Sequence, residues 1–139
     1  MNILFFLTPK TEVKYVFSDS TLRQVMERWD QDRFAAIPML NSKGIYLGTI
    51  SEGDLLRAFK NDHELNLQKA EKVMIFDVPR DRDISPVKAD SKMEDLVELS
   101  LRQNFVPVVD DEGVFIGIIT RRSIIEYLYT QLKKIKKED

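Results

Sequence analysis

The chain has 139 residues, which makes one compact unit long enough to bury a core without cross-links. Twenty-one basic against 23 acidic side chains leave a net charge of −2, unlike the basic surface of a general nucleic-acid binder, and 43% hydrophobic residues argue against disorder. With no cysteine there is no disulfide framework, thiolate metal ligand or cysteine nucleophile, and the lone His63 argues against a histidine-built metal site or triad.

In chain order, the apolar run Ile3 to Leu7 is far short of the ~20 residues of a membrane span. It also lacks the basic flank and cleavage site of a secretion signal, so a cytoplasmic protein is expected. Glu12–Phe17 reads as an extended segment. A helix follows, with Leu22, Val25, Met26 and Trp29 on one face and Thr21 with Gln24 as a capping box. Next come a strand at Ile37–Leu40, a turn NSKG, a strand at Ile45–Ile50 and a helix over Glu52–Phe59. Residues 60–72 are polar and read as a connector in which His63 faces solvent. A second extended segment lies within Ile84–Lys88. Ser91 and Glu94 form the expected capping box of a helix whose apolar face is Met93, Leu96, Val97 and Leu101. The strand Val106–Val109, the turn DDEG, the strand Val114–Ile119 and a helix over Arg121–Leu132 complete the chain. The closing glycines of both turns, Gly44 and Gly113, suit a positive φ. Residues 133–139 form a basic tail with Lys133, Lys134, Lys136 and Lys137. It reads as a solvated helix end, the alternative being contact with an acidic partner or RNA.

The second half repeats the first. IPMLNSKGIYLGTISEGDLL (37–56) aligns without a gap on VPVVDDEGVFIGIITRRSII (106–125), at a constant offset of 69 residues. Pro38/Pro107, Gly44/Gly113, Gly48/Gly117 and Ile50/Ile119 coincide. Ser51/Thr120 keep a hydroxyl where a strand passes into a helix. Free N–H groups at such a start attract phosphate, and Asp54 is placed to accept bonds from a ribose diol. The same residues also suit a plain helix cap, and one residue can serve both ends.

An apolar–Pro strand, a D/N-x-x-G turn, Gly-apolar-apolar-Ser/Thr, two residues and then Asp resembles a tandem pair of CBS domains, a Bateman module, over roughly residues 7–132. The resemblance implies an α/β (α+β) fold of two β-α-β-β-α units packed with pseudo-two-fold symmetry, at 7–62 and 73–132. It further implies adenine-nucleotide binding between the copies and association into a disc-like homodimer. Each cleft would take strands from one copy and a helix start from the other. The first would use Lys14, Tyr15, Val16, Ala35, Ala36, Ile37 and Pro38 with Thr120, Arg121, Arg122 and Ser123. The second would use Ile84, Ser85, Val87, Phe105, Val106 and Pro107 with Ser51 and Asp54.

The second copy departs from the pattern. Ser123 stands where the ribose-binding carboxylate belongs, beside Arg121 and Arg122. Two guanidinium groups in place of one carboxylate favour phosphate over a free diol, the alternative being two solvated arginines on a first helical turn. This variant resembles a stand-alone subgroup that binds cyclic di-AMP in Gram-positive bacteria. The expectation is therefore a ligand-sensing module and not an enzyme. It has no cofactor, takes an adenine nucleotide, cyclic di-AMP foremost, as regulatory ligand, and signals to a separate effector protein without contacting DNA or membrane. The alternatives are an AMP, ADP or ATP sensor and a ligand-free dimerisation scaffold.

Overall fold

The structure, a computed structural model, describes residues 2–31, 35–81 and 84–138. In chain order its elements are β1 (Thr8–Pro9), β2 (Val16–Phe17), α1 (Leu22–Gln31), β3 (Ala36–Leu40), β4 (Tyr46–Ser51), α2 (Glu52–Asn61), α3 (Leu67–Ala70), β5 (Val87–Lys88), α4 (Met93–Ser100), β6 (Phe105–Val109), β7 (Phe115–Thr120) and α5 (Arg121–Glu138). Single 3-10 turns lie at Ile3–Phe6, Lys10–Glu12 and Ile75–Asp77. Each repeat is thus β-α-β-β-α, in a mixed α/β fold. The described residues fall into two units, one within 14–83 and the other within 1–13 and 84–139.

In the unit of the first repeat, β2 runs parallel to β3 (Val16 opposite Met39), and β3 runs antiparallel to β4 (Ile37 opposite Ile50). The capping box of α1 forms as its sequence dictates: the Gln24 carboxamide accepts the Thr21 N–H at 2.8 Å, and the Thr21 hydroxyl accepts the Gln24 N–H at 3.1 Å. Leu22 and Val25 of α1 enter a core with Val16, Ile37, Met39 and Ile50, with Met26 and Trp29 packed at its margin. The stretch read as a polar connector, residues 60–72, and the residues just after it fold back on this core. Asn66 caps α3, and Ala70, Ile75 and Val78 are buried with the strands. Two backbone bonds hold the return: the Leu22 N–H to the Val73 carbonyl at 2.7 Å, and the Ile75 N–H to the Ser20 carbonyl at 2.8 Å.

In the unit of the second repeat the sheet order is β1-β7-β6-β5. β5 is parallel to β6, β6 antiparallel to β7, and the core is built on Ile3, Met93, Leu96, Val106, Val108, Ile119 and Ile124. The outer strand β1 is an addition that the local sequence did not announce; Thr8 pairs with Ile118 and Pro9 with Gly117. Gly117 is what lets it approach, since a Cβ there would lie 2.2 Å from the Thr8 carbonyl oxygen. Gly44 and Gly113 adopt φ of 83° and 84°, as their turns require.

Three local expectations differ. The box expected from Ser91 and Glu94 does not form: Lys92 is the capping position, and Asp95 accepts its N–H at 3.4 Å. The Ser91 N–H is spent closing the preceding turn on the Lys88 carbonyl. Leu101 lies beyond the end of α4 and is 80% exposed, not on the buried face. Finally, α5 runs past the expected boundary at Leu132 to Glu138, which puts the tail lysines on its last turns as the reading of a helix end had them.

Candidate functional site

In each unit the apolar–Pro strand begins beside the start of that unit's own closing helix. Ala36 is the register partner of Ser51, and the Ala35 carbonyl accepts the Glu52 N–H at 3.1 Å. One repeat later, Phe105 pairs with Thr120, and the Asn104 carbonyl accepts the Arg121 N–H at 2.9 Å. The aligned prolines, Pro38 and Pro107, follow within these strands, where Pro38 faces Thr49 and Pro107 faces Ile118 across the ladder.

At the start of α2 the cap is complete. The Ser51 hydroxyl accepts the Asp54 N–H at 3.1 Å, and Asp54 Oδ2 accepts the Ser51 N–H at 2.9 Å. Asp54 Oδ1 accepts the Asp81 N–H at 3.0 Å and Nη2 of Arg57 at 2.6 Å. Burial alone pushes the Asp54 carboxyl up. The N–H groups of Ser51 and Asp81, the Ser51 hydroxyl and the Arg57 guanidinium outweigh burial and hold it below its ordinary value.

At the start of α5 the geometry repeats without the charge. The Thr120 hydroxyl accepts the Ser123 N–H at 3.1 Å, and the two side-chain oxygens are 2.9 Å apart. The two arginines are not equivalent. Arg121 is half-buried, and its Nε donates to the carbonyls of Ser100 at 2.8 Å and Gln103 at 3.1 Å, tying α5 to the end of α4. The alternative of two solvated first-turn arginines holds for Arg122 alone. Its side chain is 88% exposed, with Nε 3.0 Å from Glu126 one turn on.

The strand residues divide by face. Val16, Ile37, Val87 and Val106 point into the two cores. Lys14, Ala35 and Ser85 are exposed, Tyr15, Ala36 and Ile84 half-buried, and Pro38, Phe105 and Pro107 buried. The Tyr15 ring meets Phe17 edge-on at 5.7 Å. Sequence reasoning missed Gln103, a buried side chain that binds the backbone of Ser85 and Phe105. It also missed Arg57 and Asp81, the partners of Asp54. Arg57 lies one turn beyond Asp54 on the same helix, a spacing at which Asp–Arg pairs form, and that was the available signal.

Two hollows lie near these helices, the first along the later turns of α2 from Arg57 to Asn61 and the second at the start of α5. A cavity of about 470 Å³ in the unit of the first repeat is lined by Leu22, Arg57, Ala58, Leu65, Val78 and Asp81 among others. A groove of about 440 Å³ in the other unit has Ser123 on its wall with Phe5, Leu7 and Tyr127. Among the described residues no group of three metal-ligating side chains exists, and no helix is long and apolar enough to cross a membrane.

Two β-α-β-β-α repeats, each with a capped hydroxyl helix start beside an apolar–Pro strand, define a class, and the sequence pattern of the CBS domain matches residues 6–61 and 75–130. The chain belongs to the CBS-domain proteins and carries two copies of the domain. It is 29% identical over 141 residues to an uncharacterised protein of Methanocaldococcus jannaschii, covering 81% of this chain and 84% of that one. It is 26% identical over 106 residues to the carnitine transport ATP-binding protein OpuCA of Listeria monocytogenes, of which the match spans 26%. Among solved structures, CbpB in complex with c-di-AMP superposes with a TM-score of 0.83 at 24% identity, covering 100% of this chain and 91% of that one. CBSX2 in complex with AMP superposes at 0.74 and 23%, covering 95% and 98%. At these identities the likeness establishes the shared fold.

Proposed function

We propose that this protein is a cytoplasmic regulatory module that binds an adenine nucleotide, cyclic di-AMP foremost, and reports its occupancy to a separate effector protein. One observation carries the ligand preference. The start of α5 has the cap of α2 but replaces the carboxylate of Asp54 with the neutral Ser123, and holds the exposed guanidinium of Arg122 on its first turn. An anionic phosphodiester meets an exposed cation there, paired only with the exposed Glu126, and no opposing carboxylate at position 123. In cyclic di-AMP the ribose 3′ oxygen is esterified, so a diol-binding carboxylate would have no intact diol to hold. The shared fold with CbpB, whose structure contains c-di-AMP, supports the same reading.

Calorimetric titration of the purified protein with cyclic di-AMP, AMP, ADP, ATP and cyclic di-GMP tests it. The expected result is tightest binding of cyclic di-AMP. Tighter AMP would move the function to a mononucleotide sensor built on Asp54, a reading favoured by the intact Ser51–Asp54 pair and by the likeness to CBSX2 with AMP. Binding of none of the five would leave a dimerisation scaffold. A homodimer belongs to the proposal in either case. Ile125, Leu128, Tyr129, Leu132 and Ile135 are exposed along α5 at helical spacing, an apolar stripe that a second copy would cover.

A further inference from the structure

The carboxylate that would grip a ribose diol is already engaged by the protein's own donors. Asp54 is 3% exposed at its side chain and accepts the N–H groups of Ser51 and Asp81 and the guanidinium of Arg57. Two of those donors are backbone groups. The third is a side chain that can leave. Arg57 is 45% exposed and reaches back one turn along α2, passing over Gly53, where an added Cβ would lie 3.2 Å from Nη1. Arg57 and Asp81, the two donors on Oδ1, both line the cavity of about 470 Å³, whose other walls include Leu22, Ala58, Leu65 and Val78. That volume lies within the ordinary range of small-molecule sites.

We propose that Arg57 is a specificity-determining latch on Asp54: it closes the carboxylate against neutral ribosides and swings off it to pair with the phosphate of an incoming nucleotide, which frees one acceptor position on Oδ1 for a ribose hydroxyl. The inference rests on the reading of Asp54 as a ribose ligand. A nucleoside must break the Asp54–Arg57 ion pair and offers the guanidinium nothing in exchange. A mononucleotide supplies a phosphate, which takes two parallel N–H bonds from the same planar fork. The latch therefore raises the preference for phosphorylated over unphosphorylated ligand beyond what a fixed cation would give.

Calorimetry with AMP and with adenosine at fixed salt reads this out, counting only the binding that Asp54→Ala removes. Arg57→Ala is expected to bind adenosine more tightly than the wild type and AMP more weakly, so that the AMP-to-adenosine preference falls about tenfold or more. Arg57→Gln keeps a neutral hydrogen bond at Asp54 and carries the same test if the alanine variant does not fold. A preference unchanged in both variants overturns the latch and leaves Arg57 as a structural partner only. If Asp54→Ala leaves AMP binding intact, the ribose reading itself is what fails. Wild-type protein that binds neither compound overturns both.

Discussion

The side-chain amide of Gln103 closes on both backbone groups of Ser85: its Oε1 accepts the Ser85 N–H at 3.0 Å and its Nε2 donates to the Ser85 carbonyl at 3.2 Å. The same Nε2 reaches the carbonyl of Phe105, also at 3.2 Å. One buried carboxamide therefore sets the segment leading into β5 against the first residue of β6.

Gln103→Ala leaves an N–H and two carbonyls without that partner. A loss of about 1–3 kcal/mol in unfolding free energy is expected, chiefly the cost of orphaning the buried Phe105 carbonyl, since Ser85 can turn to water. Urea unfolding measures it. A change within experimental scatter would mean that water replaces the carboxamide at no cost.

The two neighbouring arginines should separate cleanly. Arg121→Ala removes the donor to the carbonyls of Ser100 and Gln103 and should destabilise the fold by roughly 1–3 kcal/mol. Arg122→Ala should leave stability within about 0.5 kcal/mol, as exposed substitutions do. It should weaken cyclic di-AMP by roughly 10- to 150-fold, the worth of one guanidinium–phosphate contact. Thermal melts paired with titrations decide this. Equal melting points, or an Arg122 variant with full affinity, would contradict the division of labour.

The depressed pKa of Asp54 makes part of the stability acid-sensitive. The folded protein holds the carboxylate below its ordinary value of 3.8, so this contribution is fully present above that value. It is lost as pH falls through the folded pKa, because protonation breaks the bonds from Ser51, Asp81 and Arg57. Denaturation midpoints measured from pH 7 down to about pH 2.5 should fall more steeply below pH 4 for the wild type than for Asp54→Asn. Parallel curves would show that other carboxylates govern acid unfolding.

Ser123→Asp places a carboxylate where the repeat pattern calls for one. The Thr120 cap already presents the geometry that Ser51 offers Asp54. The new charge opposes a phosphodiester and suits a free diol, so the ratio of AMP to cyclic di-AMP affinity should rise by about tenfold or more. An unchanged ratio would mean that residue 123 does not face the nucleotide.

Features that depend on neighbours in the chain were legible in the sequence. The Thr21–Gln24 box, the positive-φ glycines and the hydroxyl starts of α2 and α5 are all closed by residues within three or four positions. Apart from Arg57, three residues from Asp54, and the Ser91–Glu94 box, which formed one position on at Lys92 and Asp95, what was missed depends on partners far along the chain. A two-residue strand containing Pro9 has no periodicity to read, and it exists only because β7 offers an edge and Gly117 a gap. Ala70 looked like part of a polar connector because its burial is set by partners outside residues 60–72. Asp54 was recognised as cap and candidate ligand, but its contact with Asp81 spans 27 positions and no local pattern encodes it. The expectation for Leu101 failed because apolar spacing continued past the point where α4 stops.

The pairing of Thr8 with Ile118 gives the two units unequal standing during synthesis. The first repeat is one uninterrupted stretch and has all of its own sheet once β4 has emerged. The second takes its outer strand β1 from residues that precede the first repeat. Residues 2–13 are made before their docking strand, so they must wait until Phe115–Thr120 has emerged. A fragment starting at residue 84 would accordingly carry β7 as an uncovered edge, open to pairing with other chains. A fragment ending near residue 81 would keep β2 and β4 as its edges, as in the longer chain, but would leave the apolar residues before β2 with nothing to dock on.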